Sequence, residues 1–290
     1  MNPIILDGVT RSFDGRRVLD GLSVRADEGK VIGLLGRNGE GKTTLFKVLL
    51  DLLAPESGRV EVLGNRLNGD GGIRRLVGYV PERPVFHDFM TVGEALALRA
   101  KLFDRWDAAR ADALCRRLGL APEIRVAGAS KGTLGKLAWV CAAAHDPSLY
   151  LLDEPTSGLD ALVREEVLSG LVSELGEAGK TVLIASHRLD ELSGLLDEIW
   201  VMSGGKIAGI YDAEKLRTEA RRVTGRPGPG FRAPDGIAAL ASSGPVGAWA
   251  ALDADARGRL LAAGLEAADE EALPMTETIK ALLSVHGGSR

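Results

Sequence analysis

A glycine-rich run from Gly36 to Thr43 constrains this chain more than any other feature of its sequence. The run fits the spacing G-x-x-x-x-G-K-[ST], in which glycine backbone can wrap closely around a polyphosphate. An apolar stretch, 30–35, precedes it and a helical pattern, 44–50, follows it, which predicts a strand, a loop and a helix in that order. The helix start adds the positive end of its dipole, so the run predicts a nucleotide-phosphate site. The alternative is a glycine-rich turn that happens to carry Lys and Thr.

Each polar residue of this run has a predicted role. Lys42 supplies a positive charge for the β- and γ-phosphates, and the Thr43 hydroxyl is a ligand for Mg²⁺. Backbone N–H groups of the loop and of the first helical turn point inward at the phosphate oxygens. The residues predicted to bind the nucleotide are Gly36, Arg37, Asn38, Gly39, Glu40, Gly41, Lys42, Thr43 and Thr44.

Two carboxylates, Asp153 and Glu154, directly follow the apolar stretch 149–152. A carboxylate at the carboxyl end of a parallel strand faces the crevice in which such sheets bind ligands. Asp153 is therefore predicted to hold Mg²⁺, and Glu154 to polarise an attacking water. Two solvated acids at a turn are the alternative, which the phosphate-binding run upstream makes the weaker one.

Composition limits the possible functions. The 290 residues carry a formal net charge of −4, with a sequence pI of about 5.7, which argues against a general nucleic-acid binder. No stretch qualifies as a membrane span, and no secretory signal is recognised at the N-terminus. Cys115 and Cys141 have no metal-like spacing, so we expect buried thiols in a reducing cytoplasm.

Apolar runs alternate with helical periods over the first two hundred residues, which is typical of an α/β fold with a mainly parallel sheet. Thr91 followed by Glu94 predicts a capped helix over 91–103, and Asp107 and Ser130 are predicted to cap two more. Further on, 226–230 is rich in Pro and Gly and is interpreted as a linker. The remainder, 225–290, is predicted to be a small α/β appendage with a strand near 248–252 and helices near 254–263 and 275–283.

The segment Glu154-Pro155-Thr156-Ser157-Gly158-Leu159-Asp160 strongly resembles the acidic strand end and following loop of ATP-binding cassette (ABC) ATPases. The resemblance implies that Glu154 is the catalytic glutamate and that the loop, with Asp160, crosses a dimer interface. It also implies that His187 is a switch histidine contacting the γ-phosphate, and that Phe13 stacks on adenine. For His187 and Phe13, a purely structural role is the alternative.

Two further motifs of this family are present in altered form. Tyr79-Val80-Pro81-Glu82 resembles the loop that senses Mg²⁺ and the membrane partner, with Glu82 in place of the usual glutamine. A carboxylate can still coordinate Mg²⁺. Ala129-Ser130-Lys131-Gly132-Thr133 occupies the signature position, normally Leu-Ser-Gly-Gly-Gln. It keeps Ser130 and Gly132 as implied γ-phosphate contacts across the dimer, while Lys131 and Thr133 are substitutions. A plain capped helix is the alternative there.

The resemblance covers residues 4–211 and is closest to ATPases of ABC-2-type exporters. It implies a P-loop NTPase fold: an ABC ATPase domain over 1–222, with an N-terminal antiparallel portion and a helical subdomain over about 84–146. A small C-terminal domain, 223–290, follows. The implied cofactors are ATP and Mg²⁺.

The implied function is ATP hydrolysis in a nucleotide-sandwich dimer, with a second copy or a paralogous ATPase, that powers a separate membrane permease. The chain would then lie in the cytoplasm on the inner face of the membrane. An apolar cluster, Phe86, Phe89 and Met90, is a candidate permease contact, although it could equally pack the helical subdomain. Two alternatives stay open. One is a regulatory subunit with a degenerate signature in a heterodimer. The other is a non-transport ABC ATPase; the acidic balance of the chain disfavours its binding to nucleic acid.

Overall fold

The structure is a computed structural model that describes residues 2–157, 164, 179–186, 189–243 and 246–287. Its chain divides into two compact units, and each is built from several segments. The first unit comprises Met1–Ile32, Gly41–Ser186 and Gly204–Lys206. The second comprises Gly33–Glu40, His187–Ser203 and Ile207–Arg290.

The first unit contains an antiparallel sheet and a set of parallel strands. Its strands are β1 (Ile4–Phe13), β2 (Arg16–Ala26), β3 (Val31–Leu35, whose last three residues belong to the second unit), β4 (Ser57–Val62), β5 (Asn65–Arg66), β6 (Val77–Val80), β7 (Leu149–Asp153) and β8 (Thr181–Ala185). Its helices are α1 (Lys42–Leu49), α2 (Val92–Ala100), α3 (Ala108–Arg117) and α4 (Lys131–Ala143).

The antiparallel sheet has the strand order β2-β1-β4-β5. β1 and β2 form a hairpin in which Phe13 pairs with Arg16, across Asp14 and Gly15. These two turn residues have φ values of 49° and 77°, the left-handed backbone that a two-residue hairpin turn requires. The N-terminal antiparallel portion is therefore present as predicted.

The parallel strands bring three segments to one edge. In the first unit they run in the order β3-β8-β7-β6, with Val80 beside Leu152, Leu152 beside Ile184, and Asp153 beside Ala185. Every residue of β7 and β8 is buried, which explains why both strands are almost continuously apolar. The residues that follow β6, β7 and β8 consequently emerge at the same edge of the sheet.

Side-chain caps start the helices that the sequence predicts. The Thr91 hydroxyl accepts from the Glu94 N–H at 3.2 Å, and the Glu94 carboxylate accepts from the Thr91 N–H at 2.8 Å, so the predicted capping box is confirmed. Asp107 caps α3 through the Arg110 N–H at 2.9 Å, and Ser130 caps α4. The starts of α2, α3 and α4 are thus determined by side chains next to them in the sequence.

The second unit begins with the end of β3 and continues with β9 (Glu198–Ser203) and β10 (Lys206–Asp212, from Ile207 on), in the order β10-β9-β3. Then follow α5 (Ala213–Glu219), β11 (Arg221–Pro227), β12 (Ala238–Ser243), β13 (Val246–Ala251), α6 (Ala256–Ala262), β14 (Leu265–Ala272) and α7 (Met275–His286). The last four strands form an antiparallel sheet in the order β12-β13-β11-β14.

Helices α6 and α7 pack against opposite faces of this C-terminal sheet. Val223 and Trp249 form a core with Ala256 and Leu260 of α6, whereas the alternate residues Arg222, Thr224 and Ala248 line a groove with α7. The predicted linker is wrong in part: Arg226 and Pro227 lie in β11 and pair with β14. The Pro and Gly pattern was ambiguous there, because a proline can lie at the end of a strand as well as in a linker.

Candidate nucleotide site

Helix α1 begins without a side-chain cap, in contrast to α2, α3 and α4. Its N-cap is Gly41, with a φ of 106°, a conformation that a residue with a Cβ rarely adopts. Lys42, the first helical residue, is 8% exposed. The first N–H groups of a helix need partners, and an anion at this uncapped end would supply them.

Asp153, the last residue of β7, is the most buried acidic group described in the first unit. It is 2% exposed and is hydrogen bonded by the side chain of Thr43. Burial raises the pKa of Asp153, the neighbouring carboxylates Glu154 and Glu82 raise it further, and the Thr43 hydrogen bond and Lys42 oppose them. The Thr43 and Asp153 side chains, far apart in sequence, are thus in contact, as the metal prediction requires.

A divalent cation fits this chemistry. The negative charges of Glu154 and Glu82 both disfavour ionisation of the buried Asp153 carboxyl, and a cation would relieve that repulsion. Within the described ranges, no three His, Cys, Asp or Glu side chains are arranged as a metal site on their own. Mg²⁺ binds through one or two protein oxygens together with phosphate oxygens and water, so Thr43 and Asp153 are sufficient protein ligands when a nucleotide supplies the rest.

Glu154 follows directly and has an unusual backbone conformation. Its φ is 49°, which costs a non-glycine residue about 1–2 kcal/mol. Its N–H donates to the Ala185 carbonyl at 2.8 Å, and its carbonyl accepts from the Ser157 N–H at 2.9 Å. The backbone turn after β7 is therefore held on both sides, and it keeps the half-buried Glu154 beside Asp153.

Glu82 emerges two residues after β6, and its charge reaches Asp153. It lines a cavity of about 460 Å³ together with Arg83, Lys131, Pro155 and Ser157. Two departures from the family motifs, Glu82 and Lys131, therefore line one cavity, whereas a third, Thr133, does not line it. Tyr79, the first residue of the predicted Mg²⁺-sensing loop, also lies near Asp153: burial, then the Asp153 charge, raises the pKa of Tyr79 to about 12.

Ser130 is the N-cap of α4, and its hydroxyl is already engaged. Its Oγ accepts from the Thr133 N–H at 3.0 Å and lies 2.9 Å from the Thr133 hydroxyl. Thr133 thus fixes the Ser130 rotamer, while Lys131 is exposed and Gly132 follows it on the first turn. The altered signature is a well-formed helix start with a hydroxyl pair and an exposed ammonium group.

The predicted aromatic contacts are exposed to different extents. Phe13 is 42% exposed, and the Arg11 guanidinium lies 5.2 Å from its ring centroid. Phe89 is 74% exposed and stacks on His87, and Met90 is half-buried. Phe86 lines a cavity of about 160 Å³ whose wall includes Tyr79, Phe103 and His145.

Two predicted residues, Asp160 and His187, lie outside the described residues. Ser186, which immediately precedes His187, is buried at the end of β8. The loop residues 36–40 belong to the second unit, where Gly39 has a φ of 84°. No helix in the described parts of the chain has the length and apolar character needed to cross a membrane.

Comparison with known proteins identifies the family. Residues 19–157 match the ABC transporter family. The bacitracin transport ATP-binding protein BcrA of Bacillus licheniformis is 32% identical over 217 residues, 74% of this chain and 71% of that protein. The daunorubicin resistance ATP-binding protein DrrA3 of Streptomyces coeruleorubidus is 35% identical over 222 residues, 74% and 70% of the two chains.

A solved structure agrees with these relatives. It is cbiO1 from Clostridium perfringens, described as part of the ABC transporter complex cbiONQ, with a TM-score of 0.64 and 25% identity. The match covers 75% of this chain and 91% of that one. The predicted P-loop NTPase fold with an ABC ATPase domain is therefore confirmed. The chain belongs to the ABC transporter family, as an ATP-binding subunit whose ATP hydrolysis is coupled to transport.

Proposed function

We propose that Gly36–Thr44 binds the triphosphate of ATP and that Thr43 and Asp153, with Glu82 nearby, hold Mg²⁺. The observation that carries this proposal is the buried Asp153 carboxylate, hydrogen bonded to Thr43 and surrounded by like charge, beside the uncapped start of α1. Bound Mg²⁺ would supply positive charge to the β- and γ-phosphates. Lys42 contributes further positive charge from a site with little water, where it is effective.

Glu154 is the residue best suited to orient the attacking water. Its turn is fixed by backbone hydrogen bonds, so the carboxylate is positioned before the reaction begins. We assign His187 the γ-phosphate contact and Asp160 the dimer-interface role, both from the family resemblance. Phe13, exposed near the tip of the β1–β2 hairpin, is assigned the adenine contact from the family resemblance, since an exposed aromatic ring can stack on a base.

A second ATPase subunit completes each site in this proposal. Ser130 and Gly132 at the start of α4 contact the γ-phosphate held by the other subunit, which is a second copy or a paralogue. The hydroxyl of Ser130 is pre-oriented by Thr133, and Lys131 adds a charge attractive to phosphate. Dimer closure then encloses two ATP molecules, and reopening follows hydrolysis.

The partner that this motion drives is a membrane permease of the ABC-2 exporter type, a subfamily favoured by relatives named for bacitracin transport and daunorubicin resistance. We propose that it contacts the surface around Phe86, Phe89 and Met90. Val85 is 87% exposed and Phe89 74% exposed, and Val85 lines the same cavity as Phe86. Neighbouring exposed apolar side chains of this kind mark interaction surfaces.

Arginines border this surface. Arg74 and Arg99 line the cavity, and Arg83 follows Glu82, which suits a permease segment with apolar and acidic side chains. The domain limits 1–222 and 223–290, and a location on the cytoplasmic face of the membrane, complete the proposal. Nucleic acid has no place in it, because the net charge is negative.

The test is a detergent pull-down of tagged Glu154→Gln protein with ATP and Mg²⁺, since loss of the catalytic carboxylate should trap the closed dimer. Recovery of a multi-span membrane protein is expected. Lys42→Ala is the matched control, because it should abolish ATP trapping without altering the surface around Phe86. Recovery of ribosomes or DNA would refute the transport role. A second, different ATPase would show that the pair is a heterodimer.

The docking surface is tested separately by changing Phe86 and Phe89 together to Ser. The double variant should keep ATP binding and lose the permease in the pull-down. Leu261→Ser, which alters a leucine 41% exposed in the C-terminal domain, is the control and should keep both. Loss of ATP binding in the double variant would instead assign these rings to packing of the helical subdomain.

A further inference from the structure

The C-terminal end of α7 is bonded to two neighbouring strands of the second unit. The backbone carbonyl of His286, the last residue of α7, accepts a hydrogen bond from the Ser203 hydroxyl at 2.8 Å. The His286 Nε2 lies 2.6 Å from the Tyr211 hydroxyl, and the two rings meet edge to face. Ser203 ends β9 and Tyr211 lies in β10. The last helix of the chain is therefore tied to both strands through one residue.

The imidazole of His286 packs closely against Gly209 of β10. A Cβ added at Gly209 of β10 would lie 2.9 Å from His286 Nε2 and 2.7 Å from the Tyr211 ring, closer than side chains pack. A side chain at position 209 would therefore displace the Tyr211 and His286 rings. Burial lowers the pKa of His286, which favours the neutral ring. An unprotonated Nε2 can accept a hydrogen bond from the Tyr211 hydroxyl.

The same strand β9 supports the phosphate-binding loop. A Cβ added at Gly36 would lie 2.9 Å from the carbonyl oxygen of Met202, the residue before Ser203. The first glycine of the loop therefore packs directly on β9 backbone, at the point where the next residue bonds to α7. Displacement of β9 by a few tenths of an ångström would move the loop with it, because close-packed interiors transmit strain.

Helix α7 also reaches the loop itself. Gly287, the residue after α7, has Arg37 as a neighbour, with Arg37 Cδ 3.8 Å from the position of an added Cβ. The C-terminal end of a helix carries partial negative charge and favours a nearby cation. Helix α7 also packs on the short helix Leu189–Leu192. One helix thus lies next to the phosphate-binding loop and to this short helix.

We propose that His286, with Ser203 and Tyr211, is a positioning residue for ATP binding. It holds α7 against β9, and β9 and α7 together hold Gly36 and Arg37 in the conformation that accepts the nucleotide. The C-terminal domain, of which α7 is a part, therefore sets the affinity of the subunit for ATP. This inference rests on the proposed ATP-binding role of Gly36–Thr44.

The experiment compares steady-state ATP hydrolysis and ATP binding by the full-length subunit carrying His286→Ala, His286→Gln or Tyr211→Phe. Loss of the Tyr211–His286 hydrogen bond should raise the KM and Kd for ATP about fivefold, while kcat at saturating ATP stays within about twofold. The amide oxygen of Gln can accept a hydrogen bond from the Tyr211 hydroxyl, so His286→Gln should keep most of the affinity for ATP. If His286 only stabilised the fold, its substitution would lower both stability and kcat, and would not raise KM alone.

Lys280→Ala is the matched control, since Lys280 lies exposed on the same helix and makes no ion pair with any described residue. It should behave as the unaltered protein. If His286→Ala unfolds, Tyr211→Phe decides the matter, because it removes one hydroxyl and keeps the ring. An unchanged Kd for ATP in Tyr211→Phe would overturn the proposal.

Lys42→Ala separates this inference from the proposed function. If Lys42→Ala loses ATP binding while His286→Ala and Tyr211→Phe bind ATP with unaltered affinity, only the role of His286 fails. If Lys42→Ala still binds ATP with unaltered affinity, the assignment of the phosphate-binding loop itself is wrong.

Discussion

Acidification should destabilise this protein through one buried imidazole, His145. The side chain is 3% exposed, and its ring stacks on Phe103 with centroids 4.2 Å apart. Burial lowers the pKa of His145 to about 4 from its ordinary value of 6.5, although the backbone at Val77 and Cys141 favours the protonated form. The neutral ring is therefore the one that the folded state accommodates.

The sign and size of this destabilisation follow from the linkage between proton binding and folding. Below about pH 6.5 the unfolded chain binds a proton at His145 that the folded chain refuses, so the free energy of unfolding falls. Each unit of pH lowers it by about 1.4 kcal/mol until the folded-state pKa is reached. At about pH 5 the loss from His145 alone is about 2 kcal/mol, and near the folded-state pKa it reaches about 3 kcal/mol. Above about pH 7 the group contributes nothing.

The assay is denaturant unfolding of the full-length protein and of His145→Phe at neutral pH and at about pH 5. Phenylalanine keeps a ring against Phe103 but does not titrate. The difference in unfolding free energy between the two proteins should shift by about 2 kcal/mol toward the variant on acidification. His87→Phe is the control for replacement of a histidine by phenylalanine, because His87 is exposed. Parallel pH profiles for the full-length protein and His145→Phe would refute the reasoning.

Three further predictions concern the site and its support. Glu82→Gln removes a carboxylate that raises the pKa of Asp153, so the acid limb of the pH profile for Mg²⁺-dependent ATP hydrolysis should move to lower pH; movement to higher pH would contradict this. Gly36→Ala places a methyl group 2.9 Å from a β9 carbonyl and should weaken ATP binding at least about tenfold by equilibrium titration, whereas affinity within about twofold would refute it. Thr91→Ala removes the α2 cap and should lower the unfolding free energy by about 1 kcal/mol in denaturant melts, with Kd for ATP unaltered.

Local signals explain what the sequence could predict. Thr91, Asp107 and Ser130 each cap the helix that follows them, because a cap depends only on the next three residues. Strands β7 and β8 were recognisable as unbroken apolar runs, and the parallel arrangement places the residues after them at one edge. Sequence motifs therefore located Asp153 and Thr43, and their contact follows from topology.

The C-terminal sheet could not be predicted in the same way. Strand β14 reads Leu-Glu-Ala-Ala-Asp-Glu-Glu-Ala, and Glu, Asp and Ala are all depleted in strands. It is stabilised by its neighbour: Arg222 lies opposite Glu271, 2.5 Å from its carboxylate, and Arg221 lies near Glu270. Such cross-strand pairs form only after the chain has folded, so no window of sequence contains the signal.

Two of the departures from the common family motifs carry opposite charges. Glu82 adds a negative charge where the family usually has glutamine, and Lys131 adds a positive charge where it usually has glycine. Because both line the same cavity of about 460 Å³, the pair leaves the net charge of that wall unchanged. The net charge of the cavity wall is thus kept, while Glu82 still raises the pKa of Asp153.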